Sequence, residues 1–230
     1  MTQKRLFHGS KYIIENPVFK GGSSKNDFGN GFYCTDDIVL AKEWGASSNG
    51  SGFANEYILD MDELRVFDLT KFDCLAWISV LLKNRDIALS SPIMQSNVDF
   101  IIKRYYPKDI EKADVVIGYR ADDSYFSWTK DFVRNAIDLE QLESSMNLNN
   151  LGLQYFIQSE IAFSKLTYVQ SHEIEHIGYF NQKKRRELEA NRQYMNIVEQ
   201  AISRHNGVYA SDLPTIDPIS KSTSKKGRGR

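Results

Sequence analysis

Two cysteines, Cys34 and Cys74, are too few and too irregularly placed for a disulfide framework. They point to a reduced compartment, and each reads as a small buried hydrophobe, because no nucleophile motif surrounds it. The chain also lacks any run of about 18 apolar residues, so no membrane-spanning helix is expected. Its first residues, Met1-Thr2-Gln3-Lys4-Arg5, lead into strand-like sequence with no apolar leader, and a cytoplasmic location is the expectation. No internal repeat is visible.

What is there is an ordinary globular composition, 41% apolar and 26% charged over 230 residues, enough for one large domain with an appendage. The net charge of −1 hides an asymmetry. Lys183–Arg230 holds eleven Lys/Arg against five Asp/Glu, a surplus of six, which leaves a net charge of −7 on the first 182 residues. A solvated helix followed by a disordered tail accounts for that basic end, and contact with nucleic acid is the alternative. The expected division is a catalytic domain over 1–180, a charged helix over 181–205 and a basic, disordered tail over 206–230.

Short strands are expected at Lys4–His8, Phe32–Thr35, Glu56–Asp60, Arg65–Leu69, Val115–Ile117, Leu153–Ile157 and Leu166–Ile174. Helices are expected from Asp36 or Asp37 to Trp44, over Cys74–Ile87 and Ile93–Tyr105, from Asp122 or Asp123 to Asn135, from Asp138 to Met146, and over Lys183–Arg204. Without a regular strand–helix–strand alternation, this is an α+β pattern rather than a doubly wound sheet.

Two motifs carry chemistry. Leu6-Phe7-His8-Gly9-Ser10 delivers a histidine at a strand end, and Gly29-Asn30-Gly31-Phe32-Tyr33-Cys34-Thr35 delivers a tyrosine after a glycine-rich turn. Such a pair suits a planar, cationic, sugar-linked group: a ring nitrogen takes a hydroxyl, and an aromatic face takes the plane. Glycines at 9, 29 and 31 let backbone come close to a ligand.

In this order and spacing the two motifs resemble the poly(ADP-ribose) polymerase-like, diphtheria-toxin-like branch of the ADP-ribosyltransferases, whose pattern is His, Tyr and a third residue, usually Glu. Gly118-x-x-Ala121-Asp122-Asp123 and Leu151-Gly152-Leu153-Gln154-Tyr155 extend the likeness, over residues 6–169, to an uncharacterised bacterial subfamily. The resemblance implies a split, bent sheet with inserted helices around Cys74–Tyr105 and a cleft for NAD as co-substrate, with no metal. His8 would hold the NAD ribose, and Tyr33 would stack on nicotinamide. Gly9, Ser10, Gly29, Gly31 and Phe32 would complete the NAD-binding set.

The third position departs from the pattern, because the late strand carries Gln154 where the family has Glu. An amide can hold a hydroxyl but carries no charge and cannot act as a general base. Mono-transfer is therefore expected rather than chain elongation. Glu160 competes for the missing carboxylate, although Ser159-Glu160 also reads as a helix start. Asp122 and Asp123 are candidates on the acceptor side, with a helix N-cap as the plainer explanation, and Arg120 could reach a phosphate.

His172-Glu173-x-x-His176 matches a zinc-protease signature, which needs one helix to put both histidines on one face. The flanking Leu166–Ile174 reads instead as a strand, where four residues span about 13 Å. By analogy with the resembling branch, the expected activity is mono-ADP-ribosyl transfer to RNA, DNA or protein. The setting would be a bacterial toxin–antitoxin or phage-defence system with an antitoxin partner. A weak NAD-binding sensor, an NAD glycohydrolase and, least, a metalloprotease are the alternatives.

Overall fold

The computed structural model describes residues 2–46, 50, 52–121, 123–146, 148, 152–201 and 207–216. Among these residues seven strands form one mixed sheet: β1 (Gln3–Ser10), β2 (Phe32–Thr35), β3 (Phe53–Asp60), β4 (Val66–Asp68), β5 (Val115–Tyr119), β6 (Leu153–Ile157) and β7 (Leu166–Glu173). Their order is β4-β5-β6-β2-β1-β3-β7, antiparallel except for the β4–β5 pair. The central pairing is unusual. β1 and β2 share one register position, Phe7 with Thr35, whereas β1 pairs with β3 along its whole length from Gln3 to Ser10. Two strand groups thus meet almost at a point, and the site lies where they part.

Among the described residues seven α-helices complete the fold: α1 (Ile38–Gly45), α2 (Cys74–Asn84), α3 (Pro92–Tyr105), α4 (Asp123–Val133), α5 (Leu139–Met146), α6 (Glu160–Ser164) and α7 (His176–Ala201). Local chemistry sets their starts. Asp37, Asp73, Ser91 and Ser159 each accept a backbone N–H from the first turn of α1, α2, α3 and α6, and Pro92 occupies the first turn of α3. A large core forms where α2, α3, α4 and α5 cover one face of the sheet, with Trp128, Phe132, Ile78, Leu81 and Phe156 almost wholly buried. Among the described residues no helix is long and apolar enough to cross a membrane.

The C-terminal division differs from expectation. A boundary at 180 falls inside α7, which begins at His176, seven residues before Lys183. α7 packs on α1, α4 and α5, stacking Tyr194 on Trp128 at 5.0 Å and burying Ala190. Residues 207–216 are also folded, although a disordered tail was expected from 206. Leu139 N–H donates to Val208 at 2.7 Å, and Ala210 and Leu213 are buried. Two apolar residues meeting the α3–α4 surface outweigh the loop-like composition. Residues 217–230, most of the basic tail, lie outside the described residues.

Candidate functional site

Thr35 of β2 stands opposite Phe7 of β1 on one side and Gln154 of β6 on the other. This row across three adjacent strands brings His8, Tyr33 and Gln154 together, with β1 and β6 about 10 Å apart. All three line a cleft of about 370 Å³, within the range of small-molecule sites. Its remaining walls include Asp27, Trp44, Arg85, Arg120, Lys183 and Glu187.

His8 is fixed by its neighbours. Its Nδ1 lies 2.7 Å from the Tyr33 carbonyl, which can only accept, so Nδ1 carries the proton. The ring stacks on Phe32 at 4.4 Å, and burial holds its pKa below the ordinary 6.5 despite the Tyr33 bond. The imidazole is therefore neutral at pH 7, with Nε2 as a bare acceptor at the cleft.

Tyr33 offers its ring rather than its hydroxyl. The hydroxyl donates to Gly29 O at 2.7 Å and accepts from Phe28 N–H at 3.0 Å, closing the turn ahead of β2. Gly29 in that turn has φ +95°, which favours glycine. Burial raises the Tyr33 pKa, so the phenol stays protonated.

Gln154 is buried at 3% exposure, and its Nε2 donates to Asp27 Oδ2 at 3.1 Å and to Tyr119 O at 3.3 Å. Asp27 belongs to the β1–β2 loop and lies just outside the two sequence motifs. It is also 9% exposed, and it accepts from Ala121 N–H at 3.1 Å and from the Arg85 guanidinium at 3.3 Å. Burial pushes its carboxyl above the ordinary value, while Arg85, Gln154, Ala121 and Arg120 pull the other way. Three N–H donors, from Arg85, Ala121 and Gln154, meet its two oxygens and favour the carboxylate form, which a loop supplies rather than the late strand.

Cations surround that acid. Lys25, Arg85, Arg120 and Lys183 line the same cleft, and the Arg120 guanidinium lies 5.0 Å over the Trp44 ring. The Trp44 indole N–H is buried with no acceptor among the described residues. α7 forms one wall through Lys183 and Glu187, and Arg186 of that helix pairs with the buried Glu43 of α1.

Other expected residues have different positions. Gly9 is required by packing, because a Cβ there would lie 1.9 Å from Ala41 O of α1. At Gly31 a Cβ would lie 2.3 Å from the Phe156 ring, so this glycine serves the contact with β6. Neither of these nor Ser10, Gly29 or Phe32 lines the cleft; Phe32 supports His8 from behind, and Ser10 accepts from Asn55 Nδ2 at 3.0 Å. Glu160 is exposed in the first turn of α6, after the Ser159 cap, and is not in the cleft wall. Asp123 opens α4, and Asp122 lies outside the described residues.

The protease-like motif does not form one helix. His172 is on the edge strand β7, with Nε2 2.7 Å from Glu56 Oε2, whereas His176 opens α7.

A protein-family model described as "Protein of unknown function (DUF3990)" matches residues 4–168, which contain β1 to β6 and every helix but α7. No curated protein and no solved structure matches the chain.

Proposed function

The chain belongs to the DUF3990 family, and we propose that in this member the cleft between β1, β2 and β6 binds NAD and transfers one ADP-ribose to a macromolecule. One observation carries the reading. The fold leaves two oriented acceptors at the cleft, His8 Nε2 and Gln154 Oε1, on the strands that border the Tyr33 strand β2. Two acceptors and an aromatic ring in one cleft suit the hydroxyls of a ribose and the planar base it carries. Lys25, Arg85, Arg120 and Lys183 add positive charge for a diphosphate, and the unpaired Trp44 N–H is a spare donor for an anionic or carbonyl oxygen. The near-separation of the sheet at Phe7–Thr35 agrees with the split-sheet architecture that the sequence resemblance implies.

Cleavage of the nicotinamide–ribose bond develops positive charge on the sugar and expels a neutral base. The chain's part is to hold the ribose, clamp nicotinamide against Tyr33 and place negative charge near the developing cation. A bacterial toxin role with an antitoxin partner, acting on RNA, DNA or protein, extends this proposal. Growth arrest on expression, relieved by His8→Ala, tests that role. Incubating the purified protein with labelled NAD and cell extract tests the chemistry. Label on a macromolecule supports transfer, nicotinamide release alone indicates a glycohydrolase, and binding without either indicates a sensor.

A further inference from the structure

We propose that Asp27 and Gln154 act as one unit, Asp27 carrying the charge and fixing the amide, Gln154 presenting the acceptor. This rests on reading the cleft as an NAD site, and it makes Asp27 a positioning residue.

The orientation of Gln154 has a physical cause. Its amide meets two acceptors, the Asp27 carboxylate at 3.1 Å and the Tyr119 carbonyl at 3.3 Å, and both are satisfied by Nε2. Turning the amide over would set Oε1 against those same oxygens, lone pair to lone pair. Only one orientation is stable. Oε1 is then left without a partner among the described residues, at the wall of the cleft. A residue that could either donate or accept is thereby confined to accepting, as a glutamate at the same place would be.

Asp27 is itself held from three sides, by Arg85, by the Ala121 amide and by Gln154. Such a carboxylate does not reorganise when charge develops beside it, which is the condition for electrostatic stabilisation. The usual acidic group is therefore divided between two residues. The β1–β2 loop brings the charge, β6 brings the ligand-facing oxygen, and a hydrogen bond between positions 127 residues apart joins them.

Charge and shape separate in three variants. Asp27→Asn keeps an acceptor for Gln154 but removes the charge. Gln154→Glu places two carboxylates in hydrogen-bond range, so one takes up a proton. The double exchange D27N/Q154E restores one charge and one donor–acceptor pair between the two positions, in exchanged places, at the cost of the bond to Tyr119 O. In nicotinamide release at saturating NAD, D27N is expected to lower kcat at least tenfold with little change in KM, and D27N/Q154E to regain at least tenfold over D27N. The charged groups facing Asp27 are Arg85, Arg120, Lys25, Lys183 and Glu187, and all are retained in every variant.

A second readout needs no ligand. In the NAD-free protein the Gln154 side-chain amide protons should exchange slowly by NMR, and Asp27→Ala should expose them. Unchanged exchange in that variant overturns the unit, as does a D27N enzyme with wild-type kcat or a double exchange no better than D27N at equal thermal stability. Absence of NAD binding by wild-type protein whose amide is protected overturns the NAD reading instead, and with it the unit's catalytic role.

Discussion

The His8 imidazole donates from Nδ1 to the Tyr33 carbonyl across the point where β1 and β2 separate, at 2.7 Å. One side chain thus ties the two halves of the sheet together and, through its tautomer, determines what the cleft offers a ligand.

The tautomer has a pH signature. Burial holds the His8 pKa below 6.5, so the neutral ring persists as pH falls from 7 through 6.5 and is lost only below that. NAD affinity measured by calorimetry should be level across that interval and weaken at lower pH. His8→Ala should lower affinity roughly tenfold to a hundredfold, the effect of losing one buried acceptor.

Tyr33 has separable roles for ring and hydroxyl. Tyr33→Phe keeps the aromatic face but leaves Phe28 N–H and Gly29 O without their partner, costing about 1–3 kcal/mol of stability with little change in NAD affinity. Tyr33→Ala should lose both. Denaturant unfolding beside NAD titration distinguishes the two variants.

Gly9 should tolerate no side chain. A Cβ at 1.9 Å from Ala41 O and 2.8 Å from Trp44 Cβ forces α1 away from β1, at a cost of about 3 kcal/mol or more. Gly9→Ala is expected to lower the melting temperature and to disturb the Trp44 wall, visible as a shift in tryptophan fluorescence.

The positions of β1, β2 and β6 and the start of α1 at Asp36 or Asp37 were legible because they depend on neighbours in sequence. Asp27 was not. A lone acid in a glycine- and serine-rich loop signals only a turn, and its role comes from Arg85, Ala121 and Gln154, all distant in the chain. Gly9 and Gly31 were legible as sites of close approach, but the partners are α1 and β6 rather than a ligand. The start of α7 was hidden because the stretch before Lys183 has no polar–apolar period strong enough to mark a helix, and packing on α1 decides it.

That packing has its own test. Arg186 pairs with Glu43, which is 1% exposed, and this joins α7 to α1 beside the cleft. Arg186→Ala removes the ion pair while Arg120 still acts on Glu43, and should cost about 1–3 kcal/mol. Adding Glu43→Gln should recover part of that loss in the same unfolding assay.

The most direct test of NAD-dependent transfer is incubation of the purified protein with adenylate-labelled NAD and cell extract, following label on macromolecules and free nicotinamide together. The expected result is macromolecular label with stoichiometric nicotinamide, both lost in His8→Ala and in Tyr33→Ala. Neither label nor nicotinamide, from a folded protein that also fails to bind NAD, would contradict it.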